Sequence, residues 1–362
     1  MTEVRKKLIR NLIIIAGIFV LVMVILLLYQ GCSGKKKLSY VQIESKLISA
    51  SEKYFKKLDL LPKNEGETAI VGSEVLISNK YLKKFEEMTD DKNCYGKVTV
   101  QKNNDQYNYM PYLVCEKYQT KTFLRELASK IVTEEDGVYQ DGDEYIYRGE
   151  NVNNYFKFNN KTWRIIGTVT DGDESYLKLV LEMEEETEYI WDNRYNIDTK
   201  NNEGIHNYEK SRLKEGLDTL YQRESFISKS NKKKVVARTI CVGKRDKNNI
   251  KLNTDEECSE RLEGQYIDLI NPVDIAKASI DANCNSLRNR SCSNYNYFRK
   301  FFIGSWTAIG EKGTTSKIYY TVGSSFTSYP ANESMNVHPI IYINSSEKLK
   351  SGDGSNADPY TI

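Results

Sequence analysis

CYGKVTVQKNNDQYNYMPYLVC, residues 94–115, sets the architecture of the first half of the chain. GKVTVQK (96–102) and YNYMPYLVC (107–115) are strand-like, and Asn103-Asn104-Asp105 between them is a strong turn. Folding about that turn sets Cys94 opposite Cys115, so the two sulfurs meet across the open end of a hairpin. The other cysteines follow the same habit. Cys241 and Cys258 flank the polar loop KRDKNNIKLNTDEE, Cys284 and Cys292 flank a shorter one, and Cys32 stands alone near the N-terminus. Six cysteines in close pairs read as disulfides in an oxidising compartment. A metal site is not indicated, because no CxxC or clustered Cys/His spacing occurs and the chain has two histidines.

Toward the N-terminus, Val41, Ile43, Leu47, Ile48, Tyr54, Phe55 and Leu58 fall at helical spacing, so an amphipathic helix is expected over Tyr40–Leu58, ending at Leu60-Leu61-Pro62. A second helical stretch is expected over Glu74–Phe85. Upstream lies LIIIAGIFVLVMVILLLY (12–29), an unbroken apolar run of 18 residues. As a helix it spans roughly 27 Å, close to the hydrocarbon core of a bilayer. Arg5, Lys6, Lys7 and Arg10 precede it and no A-x-A site follows, so an uncleaved single-pass anchor is expected. Residues 1–11 then face the cytoplasm and the rest is a C-terminal extracellular ectodomain on the cell membrane. Cys32 after Gly31 is a candidate lipidation site, although Tyr29 and Gln30 stand where a lipobox has Leu and a small residue.

The net charge of +2 conceals an asymmetry. Residues 1–37 hold seven of the 52 Lys/Arg and one of the 50 Asp/Glu, which leaves the ectodomain with 45 basic and 49 acidic residues, a net of −4. A mildly acidic body speaks against nucleic acid as a partner.

Toward the C-terminus, residues 121–146 read as an acidic, solvated linker around a short helix. EYIYRG (144–149), NYFKFNN (154–160), KTWRIIGTVT (161–170) and YLKLVLEM (176–183) then suggest an antiparallel meander. Leu213, Leu217, Leu220 and Tyr221 mark a helix over Arg212–Arg223. YIDLI (266–270) runs into Asn271-Pro272, a helix start with proline at the first helical position. SWTAIG (305–310), KIYYTVG (317–323) and HPIIYIN (338–344) complete the strands. The fold class expected is α+β.

Two resemblances follow. YFKK…LP, EVLISNKYLKKF and CYGKVTVQ…YNYMPYLVC, behind an apolar helix, resemble the pilin and pseudopilin plan of Gram-positive surface proteins. That implies a pilin-like stalk module over 38–120. True prepilins carry a Gly-Phe site and Thr-Leu-x-Glu, where this chain has Arg10-Asn11 before the apolar run, so processing into a pilus is not implied. Residues 147–362 resemble a recurring extracellular module of Gram-positive bacteria, through NYFKFNNKTWRIIGTVTDG, YIDLINPVDIAKA and VHPIIYINSSEKLKSGDGSNADPYTI. That module looks similar to C-type-lectin-like and formylglycine-enzyme-like folds, and fold likeness brings no activity with it.

Catalytic signatures are lacking: the sequence has no HExxH, G-x-S-x-G or P-loop. His206 reads as exposed in a polar loop and His338 as structural. The calcium–sugar motifs of lectins are missing too, and no cofactor is called for. An enzyme would instead need convergent carboxylates in a cleft, one with a raised pKa. The expectation is a non-enzymatic surface module that binds a cell-surface glycan or protein, with Trp306, Tyr319 and Tyr320 as candidate ligand contacts. The alternative is a subunit of a pilus-like or secretion complex in the envelope, marked by an uncovered apolar stripe on the 38–58 helix. The basic run Lys229, Lys232, Lys233 and Lys234 reads as a solvated loop.

Overall fold

The computed structural model describes residues 7, 14–24, 37–183, 188–247, 254–281, 296–300, 304–322 and 325–362. Residues 14–24 of the apolar run are helical and exposed. Among the described residues no helix is long and apolar enough to cross a membrane. The ends of the 12–29 segment lie outside the described residues, as do Cys32, Cys284 and Cys292.

The first body packs one helix on a three-stranded antiparallel sheet. Helix α1 (Tyr40–Leu58) starts at a reciprocal cap, in which Gln42 N–H donates to Ser39 Oγ and Ser39 N–H to Gln42 Oε1. It ends with Asp59 in the left-handed region. Its buried face, Ile43, Leu47, Ala50 and Phe55, closes over Leu76, Val98, Val100 and Leu113. The second helical stretch is split into α2 (Ser73–Ser78) and α3 (Phe85–Met88), because Lys80 turns to positive φ between them. The sheet runs β1 (Thr68–Gly72), β2 (Tyr95–Asn103), β3 (Gln106–Val114). Asn103 faces Gln106 and Tyr95 faces Val114, the register that the turn implied. Asn104 and Asp105 both take positive φ, as a two-residue hairpin turn requires. Cys94 and Cys115 are bonded beyond the open end.

Residues 121–146 are not a solvated linker. Helix α4 (Phe123–Ala128) buries Phe123 and Leu127 in the larger core. Strands β4 (Gly137–Asp141) and β5 (Glu144–Arg148) form a hairpin at the edge of the main sheet. Local acid content misled here, because every second residue of β4 and β5 can stay polar while its neighbours pack.

The main sheet continues with β6 (Tyr155–Phe158), β7 (Lys161–Asp171), β8 (Glu174–Leu181) and, late in the chain, β17 (Ile340–Asn344), in the order β17-β8-β7-β5-β4. It departs from a plain meander. Four-residue β6 covers only the first part of eleven-residue β7, and β5 pairs with β7 at Gly167, beyond a bulge. A side chain at Gly167 would lie 2.2 Å from the Tyr145 carbonyl oxygen, so only glycine admits β5 there.

Shorter pieces cover this sheet. They are β9 (Tyr189–Ile190), α5 (Arg212–Gln222), α6 (Lys229–Lys232), β10 (Arg238–Cys241), β11 (Lys244–Arg245), β12 (Arg261–Gln265) and α7 (Pro272–Lys277). Leu213, Leu217, Leu220 and Tyr221 of α5 are all buried, as their spacing foretold. YIDLI is an irregular buried run that touches β17 through an Asp268–Ile340 bridge. Strands β13 (Ser305–Glu311), β14 (Lys317–Val322) and β15 (Ser325–Pro330) form a second sheet with β11, and β16 (Ser334–Met335) pairs with β9. Near the C-terminus, Gly354 at φ 85° lets the chain approach the Asn153 carbonyl, and Tyr360 packs edge-on against Phe123.

The two bodies meet in a polar seam. The hairpin tip enters the second body, where Asn104 Nδ2 donates to the Lys232 carbonyl (2.6 Å) and Asn103 Nδ2 to the Lys233 carbonyl (2.9 Å). Tyr221 OH donates to Asn104 Oδ1 (3.0 Å). Buried Glu44 accepts from Thr120, Tyr118 and Lys348. Glu347 accepts from Asn108 and Lys234. The basic run 229–234 is thus the seat of the hairpin.

Candidate ligand cleft

Gly167, Lys178 and Tyr342 stand side by side across β7, β8 and β17. Strand alternation puts Leu177, Leu179 and Leu181 into the core and Lys178 on the opposite face. Because Gly167 adds no side chain to that row, a cleft of about 540 Å³ opens above it, roofed by β10, β12 and residues 268–277. The volume suits a small ligand.

The inner charges are paired with one another. Lys178 Nζ donates to Asp274 Oδ2 (2.6 Å), which also accepts from Asn271 N–H (3.0 Å) at the start of α7. Tyr342 OH donates to Asp268 Oδ2 (2.6 Å), and Leu269 N–H donates to Asp268 Oδ1 (2.8 Å). Behind Val273, fully buried Glu257 accepts from Arg245 (3.0 Å) and from Val273 N–H (3.2 Å).

Burial dominates the proton affinities here. It raises Asp268 above the usual carboxylate range, with Lys178 and the Tyr342 hydrogen bond pulling the other way. It pushes Glu257 up to about 8 against the field of Arg245. For Lys178, burial works against the charged amine, and the carboxylates of Asp274 and Asp268 outweigh it, so its pKa lies above the usual lysine value.

At the rim, Arg238 pairs with Asp171 (3.0 Å) and lies over the Tyr176 ring, and Lys277 pairs with Asp141 (2.9 Å). Arg261 donates to the Cys258 carbonyl (3.3 Å). The Cys241–Cys258 disulfide forms part of the wall, so this bridge shapes the cleft as well as closing its loop. Among the described residues no group of His, Cys, Asp and Glu is arranged to hold a metal ion.

The aromatic residues expected to meet a ligand are elsewhere. Trp306 is 0 % exposed and donates to the Tyr189 carbonyl (2.9 Å). Tyr319 is buried with its hydroxyl on the Arg245 carbonyl (3.1 Å), and half-buried Tyr320 packs edge-on against Trp306. They pack inside because the β13–β14 pair is covered on both faces, Trp306 and Tyr320 against the large core on one and Tyr319 with Ile309 on the other. His206 is likewise not exposed. It stacks on buried Trp191, and burial, with Lys244 adding to it, lowers its pKa to about 4. His338 is buried with Nδ1 2.9 Å from the Leu181 carbonyl, and burial lowers its pKa to about 4. The cleft residues Lys178, Asp268, Asp274 and Tyr342 were missed. The sequence carried one signal, a lysine between Leu177 and Leu179 in an otherwise apolar strand.

Comparison with protein-family models, with curated proteins and with solved structures finds no match to this chain.

Proposed function

We propose that the protein is a membrane-anchored, extracellular, non-enzymatic binding module, and that its ligand, a glycan or peptide of the cell surface, enters the cleft above Lys178. The observation that carries this reading is the cleft itself, whose inner charges are held by partners before any ligand arrives. Such pre-set groups bind without a further ordering cost. The Cys94–Cys115 and Cys241–Cys258 bridges fit an oxidising space outside the cytoplasm. The pilin-like plan of the first body supports a presenting role. The seam makes it a rigid mount for the second body rather than a flexible stalk.

A hydrolytic reading has one observation in its favour, the raised pKa of Asp268 beside Asp274. Both oxygens of Asp268 and one of Asp274 are already engaged, which favours binding over proton transfer to a substrate. The envelope-subunit reading is less favoured, since the apolar face of α1 is covered by its own sheet.

Two measurements test the proposal. Thiol labelling in intact cells is expected to reach these four cysteines only after reductant; labelling only after the membrane is breached would reverse the topology. Thr239→Trp, on the exposed wall of the cleft, is expected to abolish binding to cell envelopes while leaving the fold intact. Unchanged binding would remove the cleft from the proposal.

A further inference from the structure

We infer that the ligand is an extended polypeptide segment whose main chain pairs with strand edges left open in the cleft, an inference that rests on the cleft being the binding site. A strand that turns only one face to a cavity lines it with alternate residues. Here six consecutive residues of β7, 166–171, and all four of β10, Arg238–Cys241, line the cleft. The cleft therefore runs along the edges of these strands, where backbone N–H and C=O groups emerge.

The pairing of each strand accounts for the open edges. On one side β7 pairs with β8 as far as Asp171 and Glu174, at the hairpin turn. On the other side β5 meets β7 at Gly167 and pairs with none of the residues beyond it. Thr170 N–H donates to the Glu144 carboxylate (3.1 Å), a side chain that stands where a neighbouring strand would supply a carbonyl. Strand β10 pairs with β12 alone among the described strands, and Thr239 falls outside even that register. The chain parts from β17 at Val236, whose N–H donates to the Tyr342 carbonyl (2.9 Å), so no strand accompanies the second edge of β10.

An open edge is a template for another strand. Peptide capture by strand addition draws its affinity from main-chain hydrogen bonds and its specificity from alternate side chains. A glycan is less well served. Tyr342 is the one aromatic residue among the described lining, and at 5 % exposure it offers a sugar ring no face to stack on.

The test uses the full chain in detergent and cell envelopes in three forms: untreated, digested with a broad protease, and oxidised with periodate, which opens sugar rings. Protease is expected to abolish binding and periodate to leave it. Binding that survives the protease overturns the inference, and its loss to periodate would then mark the cleft as a glycan site. Where both treatments abolish binding, a variant pair decides. Thr170→Pro removes the edge donor and is expected to weaken binding at least about tenfold, one decade of apparent Kd. Thr170→Val keeps that donor and is expected to bind as the wild type does. Equal binding by the two overturns strand addition. Should Thr170→Pro fail to fold, Glu144→Ala frees the Thr170 N–H and is expected to tighten binding; unaltered or weaker binding overturns the inference equally. If Thr239→Trp leaves binding to untreated envelopes intact, the cleft is not the site, and the proposed function falls with the inference.

Discussion

The seam and the cleft are both built from buried polar groups, and they differ in what those groups join. In the seam, each carboxylate has a set of donors drawn from both bodies: Glu44 takes three and Glu347 two. In the cleft, Lys178 pairs with Asp274 and Tyr342 with Asp268 within the second body alone, and these groups line an open volume; a buried oxygen without a partner among the described residues occurs in both regions, on Asn103 in the seam and on Glu257 behind the cleft. A network drawn from two bodies fixes how they sit, while one that lines an open volume leaves one side to solvent or a ligand. The first region therefore reads as architecture and the second as a site.

The largest expected effect is the dependence of stability on pH, in which two buried histidines outside both regions oppose Glu257 behind the cleft. His206 and His338 have folded pKa values of about 4, below the ordinary 6.5, so the unfolded chain takes up protons first. Their contribution is complete above pH 6.5 and is lost as pH falls toward 4, on the order of 3 kcal/mol each. Glu257 runs the opposite way. Its folded pKa of about 8 lies above the ordinary 4.5, so its contribution is complete below 4.5 and is lost as pH rises toward 8. Two opposed slopes predict a stability maximum near about pH 6.5. Urea unfolding across pH 4.5 to 8 checks this, and Glu257→Gln is expected to flatten the alkaline limb. A limb unaltered in that variant would mean that Glu257 is not the buried group whose deprotonation costs stability.

Next in size is the seam. Glu44→Leu strands Lys348, Tyr118 and Thr120 and is expected to cost about 3 kcal/mol, the low end for breaking a buried pair, since Lys348 is partly exposed. Lys178→Met in the cleft is expected to cost less, about 2 kcal/mol, because Asp274 keeps some access to water and its hydrogen bond from Asn271 N–H. Adding Asp274→Leu to Lys178→Met should recover most of that loss, as replacing a whole buried pair often does. Equal losses at the two sites, or no recovery in the double variant, would erase the distinction between them.

How much of this could be read beforehand depends on the distance over which each contact acts. The β2–β3 register follows from a turn inside the Tyr95–Val114 hairpin itself, and the covered face of α5 from spacing alone. The strands around Asn159-Asn160 and Asp171-Gly172-Asp173 were legible for the same reason. The cleft was not, since Lys178 meets Asp274 and Tyr342 meets Asp268 across 96 and 74 positions of sequence. The seam was hidden likewise, with Lys348 reaching Glu44 across 304 positions. Trp306 and Tyr319 were misplaced because an aromatic strand residue looks the same in sequence whether its sheet face is open or covered.

The smallest predicted effect bears on the alternative role in an envelope complex. On α1, Val41 and Leu58 are the apolar residues left in water, at 60 % and 48 % exposure, and they lie at opposite ends of the helix rather than in one stripe. Scattered exposed apolar residues are ordinary on a monomer. Val41→Ser and Leu58→Ser are therefore expected to change stability by no more than about 0.5 kcal/mol. They should also leave the sedimentation behaviour of the full chain in detergent unaltered. A fall in assembly size in either variant would show that α1 is an interface after all. The first body would then be a subunit contact as well as a mount, and the seam's rigidity would serve assembly as much as ligand capture.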